Sequence, residues 1–505
     1  MKSMRNRIKQ WVRNRLGNYK VATNIVDNTT PITLEAKKSV AIIGGGIAGL
    51  SAAANLSERG FEVSLFERNQ YLGGKLGSWT FESNGEKLQV EHGFHAFFRQ
   101  YYNLRAFMQR LDVFKNLIPI DDYVILYADG QKQGFAGIDA TPGLNIWDLR
   151  KKNIIDWKTF INPLSIAYLE LLRFDPDKTF EKYDNVSFES FANKTLMTPH
   201  LRLVFNSFAR AFFSEPEKMS LAELMKGFHF YFLSNEDGLL YDVLNDDFEI
   251  TFLKPVADYI HSKGGSIYLE TEINQITQNE DEKFIVEGKE FDYCVIASDI
   301  KHTKKLFETS SLFDKHPAFK KQMSAQNTSD RYAVLRIWTD KFENDKSLPF
   351  FLFTDRLECL DSITLYHKME ETSKRWSEEN NGGIFELHSY SLPSTLKDDK
   401  AIEHQLMEEF FHYFPDLRDL TIKHSFFQHR DDFPAFHVGN YKNRPTVKTP
   451  IDNLYFAGDW VKLPTTAMLM EAAYTSGAMA ANYIFDKEGL QQNQLQSVSN
   501  RGLLA

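Results

Sequence analysis

The chain has 505 residues, of which 43% are hydrophobic and 25% charged, so it belongs with ordinary globular proteins and exceeds the size of one hydrophobic core. Its 59 basic and 68 acidic residues give a net charge of −9, which excludes general affinity for nucleic acid. Cys294 and Cys359 form no CxxC pair, which excludes a disulfide framework and a cysteine-based zinc site. We therefore expect a reducing, cytoplasmic compartment.

The first 20 residues carry seven basic side chains and no acidic one. Five apolar residues among them follow helical three- and four-residue spacing: Met4, Ile8, Trp11, Val12 and Leu16. Such a stripe between arginines predicts a helix lying on the cytoplasmic face of an anionic membrane as a peripheral contact. A basic tail and an organellar transit peptide are the alternatives, since no secretory signal is present.

Residues 39–57 contain no charge over 19 positions, yet the stretch is not a membrane span. It opens with an aliphatic run, turns at three consecutive glycines and continues as an alanine-rich segment, which predicts a strand, a tight turn and a helix. The turn and the start of the helix carry Gly44-x-Gly46-x-x-Gly49, with Gly45, Ile47 and Ala48 between these glycines. This spacing is typical of a loop that binds the pyrophosphate of a dinucleotide at a helix N-terminus.

A second strand follows the helix and ends at Glu67, 23 residues after Gly44. An acid at this position accepts hydrogen bonds from the adenosine ribose. Arg68 comes next, and Gly73-Gly74-Lys75 supplies a second glycine pair and a cation for the far side of the same cofactor. Strand, helix, second strand and acid occur in the order that a dinucleotide site requires.

Three segments of the chain carry a family resemblance: ERNQYLGGKLGSW from Glu67, NLYFAGDWVKLP from Asn453 and EAAYTSGAMAAN from Glu471. They resemble the FAD-dependent amine oxidase and phytoene desaturase superfamily. Within it, EHGFHAFFRQYYNLR from Glu91 to Arg105 resembles the carotenoid desaturases that aromatise rings, the phi-ring and chi-ring synthases.

The resemblance implies an α/β fold of the GR2-like flavoprotein type, with a discontinuous Rossmann-like FAD-binding domain and an α+β substrate domain that carries a mixed sheet and apolar helices. The implied divisions are an N-terminal extension (1–37), the FAD domain (38–115, 252–303 and 426–485), the substrate domain (116–251 and 304–425) and a C-terminal tail (486–505). Segments such as Gly264–Ile273 and Ile384–Tyr390 are predicted as strands of these sheets.

FAD is the implied cofactor. The FAD site includes the glycines of both turns, Glu67, Arg68 and Lys75. The resemblance adds further residues to this site: Gly93, Ile273 by its backbone at the adenine, Gly458, Asp459 at the ribityl or pyrophosphate region, and Met470.

The implied reaction is desaturation of a long apolar polyene such as a carotenoid by hydride transfer to flavin, with aromatisation of its end ring as the finer alternative. The chain has 42 phenylalanines, which suit either a packed core or an apolar tunnel for such a lipid. No second GxGxxG motif occurs, so we expect quinone or O2 rather than NAD(P)H to exchange electrons with the flavin. His92 and His95 lie in the ring-synthase-like block, where either would accept a proton or serve as a structural hydrogen-bonding residue.

Two further readings stay open. The first is a flavin oxidase of an amine, a porphyrinogen or a squalene-type triterpene, and the second is a flavin-free lipid-escort protein on the same scaffold. No metal site is expected, because the spacings of His424, His429 and His437 do not suit one helical face.

Overall fold

The computed structural model of the chain describes residues 2–16, 20–120, 122–236, 238 and 240–505. Its first sheet is parallel throughout and has five strands. Their spatial order is Ser266–Tyr268, Glu62–Phe66, Ser39–Ile43, Tyr293–Ile296 and Leu454–Phe456. The three central strands are rich in buried aliphatic and aromatic side chains, as expected for a parallel sheet covered on both faces.

Three helices cover this sheet: Ile47–Glu58, Lys254–Ser262 and Leu469–Lys487. The first and last cross closely, since a Cβ at Gly477 would lie 2.1 Å from the Ala48 carbonyl oxygen. Glycine at this crossing fixes the C-terminal helix against the helix of the glycine turn.

The second sheet has seven strands and is mixed. Their order is Ile422–Arg430, Tyr332–Thr339, Ile384–Ser389, Ser362–Leu365, Phe351–Thr354, Val124–Leu126 and Lys132–Gly134. Only the pair Phe351–Thr354 and Val124–Leu126 is parallel. Every residue of Tyr332–Thr339, Ile384–Ser389 and Ser362–Leu365 is buried, so these three neighbouring strands form the covered part of the sheet.

Shorter strands and further helices connect and cover the two sheets. The other strands are Val21–Ala22 with Gln496–Ser497, Ser78–Ser83 with Glu86–Glu91, Phe97–Phe98 and Leu117–Pro119 on either side of Tyr241–Leu244, and Thr277–Gln278, Phe284–Val286 and Lys289–Phe291. The other α-helices are Lys2–Leu16, Tyr102–Arg110, Leu144–Lys151, Lys158–Ile161, Pro176–Tyr183, Phe188–Lys194, Pro199–Arg210, Leu221–Phe228, Ile300–Thr309, Pro317–Ser324, Glu371–Asn380 and Asp399–Tyr413.

The fold class is confirmed: an α/β flavoprotein architecture with a Rossmann-like parallel sheet and a second, mixed sheet. The five parallel strands all lie inside the ranges predicted for the FAD domain, while the exact division of the chain into domains stays a prediction. The predicted strand Gly264–Ile273 is wrong in extent. Only Ser266–Tyr268 is a strand, because Glu270 adopts a φ of +52°, which turns the chain out of the sheet.

The N-terminal helix Lys2–Leu16 packs on the protein itself. Val12 and Leu16 are buried against Leu503 of the C-terminal tail, whereas Met4 and Trp11 are exposed. On its polar side, the helix forms ion pairs that include Lys9 with Asp139 (3.1 Å) and Arg13 with Glu236 (2.8 Å). The predicted apolar stripe is therefore divided between an internal contact and the surface.

Candidate flavin and substrate site

The glycine turn between Ser39–Ile43 and Ile47–Glu58 has almost no room for side chains. Gly44 has a φ of +109°, and a Cβ there would lie 2.8 Å from the Ala297 carbonyl oxygen. A Cβ at Gly49 would lie 1.9 Å from the Gly44 carbonyl oxygen. These two glycines are required by the protein's own packing, so they bring the strand, the turn and the helix together.

Gly46 differs from its neighbours. It is the N-cap of the helix, with an ordinary extended backbone (φ −73°, ψ 178°), and a Cβ there would meet no atom closer than 3.9 Å. The space above it is open, and the first N–H groups of the helix, which have no intrahelical acceptor, point towards that end. This cradle of bare backbone beside a helix N-terminus fits the pyrophosphate of FAD.

Glu67 ends the second strand and is 5% exposed. Its Oε2 accepts a hydrogen bond from the Gly45 N–H (2.7 Å), and its Oε1 accepts from the Asn69 N–H (2.9 Å). The carboxylate thus fixes the glycine turn while still lining the cavity described below. This position fits the predicted ribose contact, which would use the remaining lone pairs of the carboxylate.

The second glycine pair lies against the first turn. The Gly73 N–H donates to the Gly45 carbonyl oxygen (2.9 Å), and both Gly73 and Gly74 have positive φ values of 97° and 58°. Lys75 Nζ lies 2.9 Å from Asp459 Oδ2. This ion pair brings the predicted cofactor residues of the N-terminal and C-terminal segments into contact, although 384 positions separate them.

A single cavity of about 480 Å³ connects these elements. Of the sequence-predicted site residues, sixteen line it: Gly44, Gly46, Ile47, Ala48, Glu67, Arg68, Gly73, Gly74, Lys75, His92, Gly93, His95, Ile273, Gly458, Asp459 and Met470. Gly45 and Gly49 do not line it and act through the backbone packing of the turn. Arg68 pairs with Asp299 at 3.0 Å at the rim of the cradle.

From the cradle the cavity continues into an apolar half that the sequence did not localise. None of the described residues that line this half carries a charge, and most are aromatic or aliphatic: Phe98, Tyr101, Tyr123, Ile125, Phe135, Leu149, Leu203, Val204, Ser207, Phe208, Phe212, Tyr231, Phe232, Tyr241, Phe351 and Phe353. They come from the second sheet and from helices, short strands and connecting segments between residues 97 and 241. A long apolar molecule fits this wall, and a charged one does not.

His92 stands where the cradle meets the second sheet and is buried. Its Nε2 lies 3.2 Å from the Tyr332 hydroxyl and 3.6 Å from Asp432 Oδ2, and the Tyr332 hydroxyl donates to Asp432 Oδ1 at 2.6 Å. Burial lowers the pKa of His92, although Asp432 opposes that shift. The ring is therefore neutral at pH 7 and belongs to a polar network on the cofactor side of the cavity.

His95 lies further along the same wall. Its Nδ1 is 2.7 Å from the Gly93 carbonyl oxygen, to which it donates, so Nε2 carries the lone pair. Burial, reinforced by the neighbouring His92, lowers the pKa of His95 to about 4. The His95 ring is therefore neutral at pH 7, because its buried position disfavours the protonated form.

Sequence reasoning missed a third histidine on this wall, His388. It lies on Ile384–Ser389, and the alternation Glu386, His388, Tyr390 places these side chains on one face of the strand. His388 and Tyr390 line the cavity, and Glu386 lies behind them in contact with Arg336 (2.7 Å). The period-two pattern of this polar triplet in an otherwise apolar strand was the available signal.

The three C-terminal histidines have separate partners. His424 faces Glu86 (3.5 Å), His429 faces Asp399 (2.8 Å) and His437 faces Asp330 (3.8 Å). The described residues include no group of three or more potential metal ligands.

The chain is similar to known proteins over most of its length. Residues 47–485 match the family of flavin containing amine oxidoreductases. A carotenoid phi-ring synthase from Streptomyces griseus is 31% identical, covering 92% of this chain and 91% of that protein. A second one, from Chlorobaculum tepidum, is 26% identical and covers 94% and 92%. Among solved structures, an oxidoreductase from Methanosarcina mazei has the same fold, with a TM-score of 0.62, 15% identity and coverage of 87% and 99%.

These matches confirm the family, the FAD cofactor and the oxidoreductase activity that the resemblance implied. The open cradle at Gly46, the carboxylate of Glu67 and the contact between the two glycine segments are consistent with that cofactor. The chain belongs to the flavin-containing amine oxidoreductases and is an FAD-dependent oxidoreductase.

Proposed function

We propose that this oxidoreductase desaturates a long apolar polyene of the carotenoid class, and that it can aromatise the end ring of such a substrate. The observation that carries the proposal is the continuity of the flavin cradle with an uncharged, aromatic half of one cavity. The names of the two similar phi-ring synthases support the ring-aromatising form of the reaction. An ammonium group would find no carboxylate along the described part of this apolar wall, which disfavours an amine substrate.

In this proposal the chain holds the cofactor through the predicted site residues: the glycine turns with Ile47 and Ala48, Glu67, Arg68, Lys75, Gly93, Ile273, Gly458, Asp459 and Met470. Bound FAD supplies the two-electron acceptor for a hydride. The aromatic wall orients the polyene and excludes water from the reacting carbon atoms. A histidine on the wall takes the proton that leaves with each hydride, and His92 and His95 are the candidates from the sequence. Quinone or O2 then removes the electrons.

The test is anaerobic reduction of the purified holoenzyme. We expect a cyclic carotene in detergent micelles to bleach the flavin absorption, and product mass to fall by two hydrogens per oxidation. An acyclic carotene would show loss of hydrogen without a methyl shift, whereas only the cyclic one can yield the aromatic ring. If neither carotene reduces the flavin while an amine, a porphyrinogen or squalene does so readily, the proposal is wrong and that substrate class replaces it.

We also propose that the enzyme collects its substrate from a membrane surface. Within the described parts of the chain, no helix is long and apolar enough to cross a bilayer. However, residues 147–169 expose a cluster of large apolar side chains, which we call the apolar face: Trp147, Trp157, Phe160, Ile161, Leu164, Ile166 and Leu169. A cluster of this kind is typical of a surface that contacts lipid or protein.

Two contacts connect the apolar face with the cavity and the N-terminal helix. Leu149 lines the cavity from the same short helix that exposes Trp147. Arg5 of the N-terminal helix pairs with Asp148 of that helix, so the N-terminal helix adjoins the segment that carries the apolar face. A polyene that leaves the bilayer at this face would have a short apolar path into the cavity.

We expect the double substitution of Trp157→Ser and Phe160→Ser to weaken binding to anionic phospholipid vesicles by at least about tenfold, because burying a large apolar side chain contributes about 1.5–3 kcal/mol. Vesicle co-sedimentation at low and high salt measures the effect. The matched control is the double substitution of Ile25→Ser and Ile422→Ser, which removes two exposed apolar residues elsewhere and should leave binding unchanged. Equal loss in both variants, or loss only on deletion of residues 1–20, would assign the contact to another surface.

A further inference from the structure

His388 is buried in the wall between the flavin cradle and the second sheet, with 2% of its surface exposed. It lines the cavity beside Gly93: a Cβ at Gly93 would lie 3.4 Å from His388 Cε1 and 3.8 Å from His388 Nδ1. In the sheet it stands opposite Val334, another cavity residue. The Nδ1 edge of the ring therefore faces the side of the cavity that carries Gly93.

The opposite edge of the ring faces a carboxylate. His388 Nε2 lies 3.0 Å from Glu386 Oε1, and the Glu386 side chain is fully buried. Arg336, on the neighbouring strand, donates from Nε to Glu386 Oε2 at 2.7 Å, and the Tyr366 hydroxyl donates to Oε1 at 3.1 Å. Glu386 is thus held by one side chain of the neighbouring strand and by one of the short helix Tyr366–Lys368.

The charge state of this cluster favours an ionised Glu386. Burial opposes ionisation, but Arg336 and His388 outweigh it and lower the pKa of Glu386 to about 2. Burial raises the pKa of the nearby Glu370 to about 8, and burial together with Glu370 raises the pKa of Glu91. At neutral pH the charge of Arg336 is therefore balanced by Glu386, which directly contacts the imidazole.

This arrangement differs from those of the two histidines predicted from the sequence. His95 has a backbone carbonyl as its Nδ1 partner, and burial together with His92 outweighs the attraction of Glu386, so the protonated ring is disfavoured. His92 directs Nε2 to Tyr332 and Asp432 on the side of Lys75. His388 differs from both in that its Nε2 lies 3.0 Å from a carboxylate held by Arg336, while its Nδ1 edge faces the cavity beside Gly93.

We propose that His388, oriented by the ionised Glu386, accepts the proton that the substrate loses in each oxidation step. The inference rests on the proposed function. For each new double bond, one C–H bond gives its electron pair and hydrogen to FAD as hydride. A C–H bond on the neighbouring carbon then breaks, its electron pair forms the π bond, and the proton goes to the lone pair of His388 Nδ1. The substrate is oxidised by two electrons and FAD is reduced by two.

The experiment follows anaerobic flavin reduction by a cyclic carotene in a single turnover. We expect His388→Ala to slow flavin reduction by about 10²–10⁴-fold with unchanged flavin content, and added imidazole to restore at least tenfold of that loss. His388→Gln keeps a polar side chain beside Glu386 but has no basic nitrogen, so it should be equally slow and should show no rescue. It also tests the proposal if the alanine variant does not fold.

Glu386 acts through His388 and is a positioning residue. Glu386→Gln should lower the limiting rate of flavin reduction while leaving the half-saturating carotene concentration unchanged. A merely structural role would instead change flavin content or substrate affinity.

Three results would overturn the inference. The first is a loss of less than tenfold in the rate of flavin reduction in both His388 variants with intact flavin. The others are a slow His388→Ala variant whose rate imidazole does not restore, and imidazole rescue that occurs only in His95→Ala. Wild-type enzyme whose flavin no carotene reduces would refute the proposed function and this inference with it. Normal wild-type reduction combined with fast His388 variants would refute the inference alone.

Discussion

We expect Gly46→Val to abolish FAD binding and leave the apoprotein folded. The backbone at Gly46 is extended, so valine adopts it without strain, and the new Cβ would meet no protein atom closer than 3.9 Å. The added methyl groups would fill the space that the pyrophosphate needs beside the helix N-terminus. Charge-assisted hydrogen bonds contribute about 1.5–3 kcal/mol each, so loss of several should raise the Kd for FAD by more than about 10³-fold. Flavin absorption after gel filtration measures how much FAD stays bound, and titration of the apoprotein with FAD measures the Kd.

The matched control is Gly44→Val in the same turn. Here the φ of +109° and the Ala297 carbonyl oxygen 2.8 Å from the new Cβ oppose any side chain, so the apoprotein itself should unfold at a lower temperature. Thermal unfolding of the two apoproteins separates a loss of FAD binding from a loss of stability of the protein itself. A Gly46→Val protein that retains flavin would show that the cradle is not where the cofactor's phosphates bind. An apo form as unstable as that of Gly44→Val would show that the space above Gly46 does not accept a side chain.

We expect Ser207→Trp to remove turnover of the polyene while the flavin content stays that of the wild type. Ser207 lies on Pro199–Arg210 and lines the apolar half of the cavity, remote in sequence from both glycine turns. An indole ring there would occupy the volume needed by a long substrate. Displacing a substrate by about 1 Å can cost about 10²-fold in rate, so a blocked cavity should lose at least that much. Carotene-dependent bleaching of the flavin and product analysis provide the measurement.

Ser207→Ala separates the added volume from the lost hydroxyl group, and we expect it to retain most of the turnover. Reduction of the flavin by dithionite should be equal in both variants, since this small reductant does not need the apolar half. If the tryptophan variant oxidises carotene at the wild-type rate, the substrate does not occupy this part of the cavity.

The flavin cradle was predictable from the sequence because its geometry is local. The strand, the turn, the helix and the second strand occupy residues 39–67, and Glu67 contacts Gly45 and Asn69 within that stretch or just beyond it. Each glycine serves a backbone requirement that spacing alone reveals, such as the positive φ of Gly44. The family resemblance of both chain ends then identified FAD, although the joining of those ends through Lys75 and Asp459 is visible only in the fold.

Amphipathic patterns were less informative. The stripe of the first 16 residues predicted a membrane contact, yet Val12 and Leu16 pack on Leu503 near the other end of the chain. A stripe shows only that a helix needs an apolar partner, and it does not say whether lipid or protein supplies that partner. Part of the apolar face at residues 147–169 also follows helical spacing, at Trp157, Phe160, Ile161 and Leu164, but only its exposure in the folded protein shows that no core covers it.

By itself, the sequence determined the dinucleotide cradle, because neighbouring residues encode it, and the resemblance carried by both ends of the chain implied the flavin and the oxidoreductase class. The tertiary structure decided the shape of the substrate cavity and the pairing of His388 with Glu386 and Arg336. Glu91, Arg336 and Glu386 come from three separate strands and meet at distances of 2.7–3.3 Å. Their charges and protonation depend on burial and on partners distant along the chain, which no local pattern contains.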